Sequence, residues 1–398
     1  MASLNKKKVL IIVENLPVPF DRRVWLEANT LKKNGASVCV ICPKKPGYEK
    51  SYEEINGIKV YRHSLREASS KLGYFFEYSQ ALLNQFFLSW KIFFKHGFHI
   101  IHACNPPDLI FLVAIPFKLF GVKFIFDHHD INPELYFAKF GKQGIFWHLL
   151  IFFEKMSFFF SDIVISTNES YKEIAVTRGR KNEKSVFVVR SGPDVNKLIY
   201  SYNEKHKNKK AYLVSYVGVM GEQEGIDLLL QSIQFIITTK KRTDIHFKII
   251  GGGPAYQSLV KIARDMNLTE HVEFTGRVSD EELFETLNSS DVCVNPDKPN
   301  EMNDKSTMNK ILEYMAFSKP IVQYDLLEGR RSASSSSLYA INGDTEDFGA
   351  KILQLLDNRE LRISMGKIGK ERLYNELSWE HQEASLLAAY EAALKNNL

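Results

Sequence analysis

A chain of 398 residues is too long for one hydrophobic core, and its length points to two or three domains. Apolar residues at 44% and charged residues at 25% are globular values, which exclude disorder, a collagen-like repeat and a fibre. The net charge of +5 hides an asymmetry: residues 1–190 carry 27 Lys and Arg against 17 Asp and Glu, whereas residues 191–398 carry 25 against 30. The first half also holds 22 of the 28 phenylalanines, so two domains meeting different partners are expected.

The chain opens with a lysine cluster and a short strand, Val9–Val13. Its apolar core VLIIV is shorter than the roughly 7–15 residues of a signal-peptide h-region. No apolar run reaches the roughly 18 residues of a membrane span, so the expectation is a cytoplasmic protein, at most peripheral at the inner face of the plasma membrane. A helical pattern, VWLEANTLKKNG, follows and closes on Gly35. SVCVICP reads as a second strand and Gly57–Tyr61 as a third. Cys39 and Cys42 have the C-x-x-C spacing, but inside a strand rather than at a strand-to-helix junction, so half-buried thiols in a reducing compartment are expected. HIIHAC, with a helix beginning at Asp108, then VKFIFDHHD and DIVIST repeat the strand grammar.

After the lysine-rich segment 196–211, which reads as a linker, the grammar restarts. YLVSYVGVMG, HFKIIGGGP, HVEFTGRV, DVCVNPD and KPIVQYD read as strands, with helices IDLLLQSIQFI and NKILEYMAF between them. Alternating strands and helices with short connections imply two α/β domains with parallel, doubly wound sheets. The expected boundaries are 1–195 and 196–378, with a terminal helix at about 379–398 returning to the first domain. The dinucleotide fingerprint GxGxxG occurs in neither half, which argues against a dehydrogenase.

Several segments carry chemistry. The glycines of GVMGEQEGID suit a phosphate-binding loop or a tight turn. Ser306 or Thr307 is expected to cap a helix whose first amides, at Met308, Asn309 and Lys310, make an anion site beside Lys305 and Lys310. Glu313 lies on the same helix face as Asn309 and can accept both hydroxyls of a ribose. His128, His129 and Asp130 cluster after a strand; a metal site is disfavoured by their spacing, and a histidine that hydrogen-bonds substrate is preferred. Asp21, Arg22 and Arg23 start a helix and suit either phosphate or a structural salt bridge. Residues 74–98 carry Phe75, Phe76, Phe86, Phe87, Trp90, Phe93 and Phe94, which suit a buried helix or an interfacial face touching lipid.

Taken in order, IIVENLPVPFDRRV, FDHHD, RSGPD (190–194), YVGVMGEQEG, IIGGGP, VEFTGRVSDEEL and NKILEYMAFSKPIV resemble the retaining glycosyltransferases of family 4 over nearly the whole chain. The resemblance implies the GT-B fold, two facing Rossmann-like domains around an interdomain cleft. It implies that Gly276, Arg277 and Val278 frame a nucleobase and that Glu313 holds the donor ribose. Met308 and Asn309 would offer amides to the diphosphate or sugar, with Lys310, Gly221 and Gln223 as further donor-side candidates. His129, with Asp130, would lie under the transferred sugar. The first glutamate of the family's Glu-x7-Glu motif falls at Lys305, which becomes a third catalytic candidate. Val219 and Glu224 stand where the family often has Arg and Lys, so the diphosphate must be met by Lys305, Lys310, Arg22 or Arg23 and by helix-start amides.

The function so implied is retaining, metal-independent transfer of a hexose or N-acetylhexosamine from a UDP-sugar to a hydroxyl. A lipid-linked saccharide in bacterial polysaccharide assembly is the expected acceptor. No cofactor and no nucleic-acid partner are expected. The competing readings are a GT-B sugar-nucleotide epimerase or phosphorylase, and an inactive relative that only binds sugar or nucleotide.

Overall fold

The computed structural model describes residues 4–65, 71–193, 195 and 211–395, with the backbone alone for 71–76. Most of segment 196–211, Asp194 of RSGPD and the side chains of Phe75 and Phe76 therefore lie outside the described residues. The chain divides into two compact units, Met1–Ser191 with Gln382–Leu398, and Gly192–His381.

In the first unit, β1 (Lys8–Ile12), β2 (Ser37–Pro43), β3 (Tyr52–Ile55), β4 (Ile58–His63), β5 (Ile100–Cys104), β6 (Lys123–His128), β7 (Ile163–Ser166) and β8 (Val186–Val188) form one sheet. Their order is β3-β4-β2-β1-β5-β6-β7-β8, and the connections change direction between β1 and β5. All pairs are parallel except β3 with β4. Helices cover both faces of such a sheet, which is why β1 and β2 read as nearly unbroken apolar runs and are buried along most of their length. The exception is a hairpin. Asn56 and Gly57, both at positive φ, turn the chain between β3 and β4, so the expected strand Gly57–Tyr61 is the second arm of that hairpin. Residues 382–395 lie in this unit, where Ser385 donates to the Val188 carbonyl at 2.6 Å and Gln382 accepts from the Arg190 amide at 2.9 Å.

In the second unit, β9 (Tyr212–Val217), β10 (Ile245–Ile250), β11 (Val272–Gly276), β12 (Val292–Asn295), β13 (Ile321–Tyr324) and β14 (Ser337–Ala340) form an all-parallel sheet. Its order, β11-β10-β9-β12-β13-β14, reverses between β9 and β12. One core layer joins Tyr216, Leu229, Ile233, Phe247, Phe348 and Ile352. On a second layer, helix Asn309–Ala316 buries Ile311, Leu312 and Met315 against Ile321 and Leu373. Ligands of doubly wound sheets bind beyond the carboxyl ends of the strands at the switch point. In the two units those points follow β1 and β5, and β9 and β12.

Candidate active site

The carboxyl edge of the first sheet carries a buried charge cluster. Asp127 is the last residue but one of β6 and is wholly buried. One of its oxygens accepts from Arg23 Nη2 at 2.9 Å; the other meets His129 Nε2 at 2.6 Å and His102 Nε2 at 3.1 Å. Burial alone would raise the Asp127 pKa, but Arg23, His129 and His102 together hold it well below the ordinary range. Arg23 also donates to the Val189 carbonyl at 2.7 Å and to Ser191 Oγ at 3.3 Å, and lies 3.2 Å from Glu27. Burial and the neighbouring Asp127 charge push the Glu27 pKa well up. Arg23 is thus the structural salt bridge of the two readings open to it, and its forks are not offered to phosphate. Asp21 likewise works locally, capping helix Arg22–Lys33 by accepting from the Val24 amide at 3.1 Å, while Arg22 is exposed.

His129 Nε2 lies 2.6 Å from Asp127 and accepts from Arg23 Nε at 2.9 Å, two contacts that fix where the ring sits. The ring is partly exposed, so it can hydrogen-bond a substrate hydroxyl. The loop behind it is clamped by Asn105, whose Oδ1 accepts from the amides of His129 and Asp130 at 2.7 and 3.1 Å. His102 is held from its other nitrogen by the Tyr390 hydroxyl at 2.7 Å. His128 points the opposite way, wholly buried and 3.4 Å from Glu154. The carboxylate that touches His129 is Asp127, while the backbone of the candidate Asp130 is gripped by Asn105.

Two sets of three potential metal ligands occur among the described residues: Glu27, Asp127 and His129, and His102, Cys104 and Asp127. Both need Asp127, whose Oδ1 already neutralises Arg23, so a divalent cation there would face the guanidinium. The cluster fits a positioned histidine better than a metal.

In the second unit the loops after β9, β10, β11 and β12 meet at the carboxyl edge. Gly225 has φ +64°, and a Cβ there would collide with the Pro296 carbonyl oxygen; glycine lets these two loops touch. Gln223 accepts through its carbonyl from the Lys298 amide at 3.0 Å and from Asn303 Nδ2 at 2.9 Å. Gly221 stands against the Gln223 side chain.

Lys310 is not a free cation. Its ammonium lies 2.6 Å from Glu224 and 3.0 Å from Asp297, and Tyr216 donates to Glu224 at 3.0 Å. Burial pushes the Asp297 pKa up to about 7 even against the pull of Lys310. Glu224, standing where the family often has a base, is thus balanced by a lysine from helix Asn309–Ala316. Lys305 pairs with Glu301 at 2.6 Å, leaving Arg277 at the end of β11 exposed and without a carboxylate partner among the described residues. Val278 beside it is half-buried.

The expected cap is different in the structure. Met308 is the N-cap of helix Asn309–Ala316 and makes no side-chain capping bond, while the Ser306 hydroxyl donates backwards to the Met302 carbonyl at 2.7 Å. Asn309 is exposed at the helix start, and Glu313, one turn on, is half-buried.

Sequence reasoning missed Asp127, His102, Glu27, Asn105 and Tyr390. For Asp127 a signal was present, since residues two apart in a strand share a face and Asp127 and His129 have that spacing. It also missed Glu14, which follows β1. Burial, then the charge of Glu77, raises its pKa to about 7, and its Oε1 is buried without a partner among the described residues.

Residues 21–197 match the family described as Glycosyltransferase Family 4, and residues 211–358 match Glycosyl transferases group 1. An uncharacterized glycosyltransferase of Methanocaldococcus jannaschii is 30% identical over 234 residues, 57% of this chain and 61% of that protein. CapM of Staphylococcus aureus, a capsular polysaccharide biosynthesis glycosyltransferase, is 24% identical over 61% of this chain and 66% of its own length. The matched parts span less than two thirds of these curated relatives. HepE of Anabaena, solved in complex with UDP and glucose, shares the fold with a TM-score of 0.73 at 12% identity, covering 97% of this chain and 100% of that one. With two doubly wound units and matches on both of them, the chain belongs to the family 4 glycosyltransferases of GT-B type.

Proposed function

We propose that the protein transfers a hexose or N-acetylhexosamine from a UDP-sugar to a hydroxyl acceptor with retention of anomeric configuration. The observation that carries the reading is His129, held by Asp127 and Arg23 and partly exposed at the carboxyl edge of the first sheet. Glu313 on helix Asn309–Ala316 is assigned to the donor ribose. The start of that helix, Arg277 and Lys305 are assigned to the diphosphate, whose charge grows as the C1–O bond breaks. The departing phosphate oxygen takes the proton of the acceptor hydroxyl as that oxygen bonds C1 on the same face. No covalent carboxylate intermediate is needed. The donor side relies on amides and cations, so no metal is assigned to the reaction.

HepE, crystallised with UDP and glucose, supports the donor class, and CapM supports polysaccharide assembly as the setting. A lipid-linked acceptor at a membrane surface is supported by the first unit. Phe87 and Phe94 of helix Lys71–His96 are exposed, and so are Ile145, Phe146, Phe152 and Phe159 of helix Ile145–Phe160. Lys91, Lys139, Lys142 and Lys155 are exposed around them, and every carboxylate between residues 79 and 161 is buried or half-buried. No helix among the described residues is long and apolar enough to cross a membrane. The expected aromatic face on helix Lys71–His96 is narrower than the sequence implied, because Trp90 and Phe93 are half-buried against Phe117 and Phe120, and Phe86 is half-buried beside Trp90.

The direct test supplies UDP-α-glucose or UDP-α-N-acetylglucosamine with a lipid-diphosphate-linked sugar. Release of UDP and an α-linked product, read by proton NMR, are expected; a β-linkage rules out retention, and donor epimerisation without acceptor selects the epimerase reading. In a flotation assay on anionic vesicles, Phe146→Ser combined with Phe152→Ser is expected to weaken binding by at least about tenfold, from the apolar burial the two rings contribute. Undiminished flotation of the folded variant would remove helix Ile145–Phe160 from the membrane face.

A further inference from the structure

At the opposite, amino-terminal edge of the first sheet lies a cavity of about 220 Å³ that the glycosyl-transfer reading does not use. Three neighbouring strands build it: Lys8 begins β1, Ser37 begins β2 and Lys59 stands at the start of β4, and the end of helix Lys71–His96 adds Lys95 and His96. None of the three lysines has a carboxylate partner among the described residues. Glu54, opposite Lys59 across the hairpin, reaches toward Gly57 instead. The Lys8 ammonium donates to the His96 carbonyl, which satisfies the helix end that would otherwise repel an anion. His96 is fixed by the Tyr61 hydroxyl at 2.9 Å.

The three ammonium groups line one cavity, Lys8 and Lys95 exposed and Lys59 half-buried. The His96 pKa is depressed by burial and then by Lys59, Lys95 and Lys8 in turn, and the buried Cys39 thiol in the cavity wall feels both Lys59 and Lys8. Among the described residues no carboxylate lines the cavity, so its charge suits an anion. From this geometry we propose that the cavity is a binding site for a phosphate group, which Lys8, Lys59 and Lys95 hold as point charges. A phosphate carries up to two negative charges and several acceptor oxygens, which matches ammonium groups better than a single carboxylate does. The volume admits the group with several waters, each needing about 30 Å³. Two sources present this chemistry: free phosphate, and a phospholipid headgroup reached beside Phe94, which is 79% exposed next to Lys95.

The test uses the full chain. Calorimetric titration with inorganic phosphate, and co-sedimentation with phosphatidylcholine vesicles with and without phosphatidic acid, are compared for the wild type, the double variant Lys59→Gln with Lys95→Gln, and Lys261→Gln, an exposed lysine of the second unit. Saturable binding in at least one arm is expected, weakened about tenfold or more in the double variant and unchanged in Lys261→Gln. Binding of free phosphate identifies a soluble ligand; preference for phosphatidic acid without phosphate binding identifies the headgroup. A wild type that binds neither, or a folded double variant that binds as well as the wild type, overturns the proposal.

Discussion

His129→Ala is expected to lower kcat for sugar transfer by about 10²–10³-fold, the usual cost of removing one positioned group that acts on the transition state. Thermal stability should stay close to wild type, because the ring is partly exposed and Asp127 keeps Arg23 and His102 as partners. Steady-state kinetics beside a melting curve separates the two effects. The reasoning rests on position: contacts to Asp127 at 2.6 Å and Arg23 at 2.9 Å hold the ring at the sheet edge, where its exposed part can meet a substrate hydroxyl. A kcat within a few-fold of wild type would place His129 outside the reaction and make its cluster structural.

Asp127→Asn should be the most destabilising single substitution at this edge. It keeps the volume but leaves the buried Arg23 guanidinium beside a neutral amide. Breaking a buried ion pair from one side costs about 3–5 kcal/mol. For a unit of this size that is a fall of roughly 6–20 °C in the melting temperature. Activity should fall as well, since an amide binds both His129 and its neighbour Arg23 less strongly than the carboxylate does. Burial still disfavours the charged form of Glu27, 3.2 Å from Arg23, although losing Asp127 removes the like charge that also raises its pKa. A melting point unchanged within error would show that Arg23 finds its counter-charge elsewhere.

The α/β class, the two-domain plan and most strands were legible because buried parallel strands announce themselves as apolar runs. The hairpin at Asn56-Gly57 was misread although Asn-Gly between apolar residues is a strong turn signal, since a single strand beginning at Gly57 satisfied the same pattern. Strand β14 escaped because its four residues follow a serine-rich run that reads as loop. At the site, FDHHD was legible as a cluster but not as a geometry. Alternation sends His128 into the core toward Glu154 and turns Asp127 and His129 to the same side. Arg23, Glu27, His102 and Tyr390 come to that side from distant parts of the chain, and no local spacing encodes such a meeting.

Lys310 shows the same limit. Its place at a helix start suggested a phosphate ligand, yet Glu224 and Asp297 from two other loops claim it. The replacement of a basic residue by Glu224 is thereby answered within the second unit. The second-unit cations assigned to a diphosphate are Arg277 and Lys305, the second of which must be released from Glu301.

The central claim, a UDP-sugar site built on helix Asn309–Ala316, is tested most directly by melting curves of the wild type and Glu313→Ala with UDP, GDP and ADP in parallel. Ligand at 100 times its dissociation constant adds about 2.7 kcal/mol of stability. A shift with UDP that GDP and ADP do not match, and that Glu313→Ala removes, is the predicted result. A shift with none of the three, or an equal shift in the variant, would contradict it.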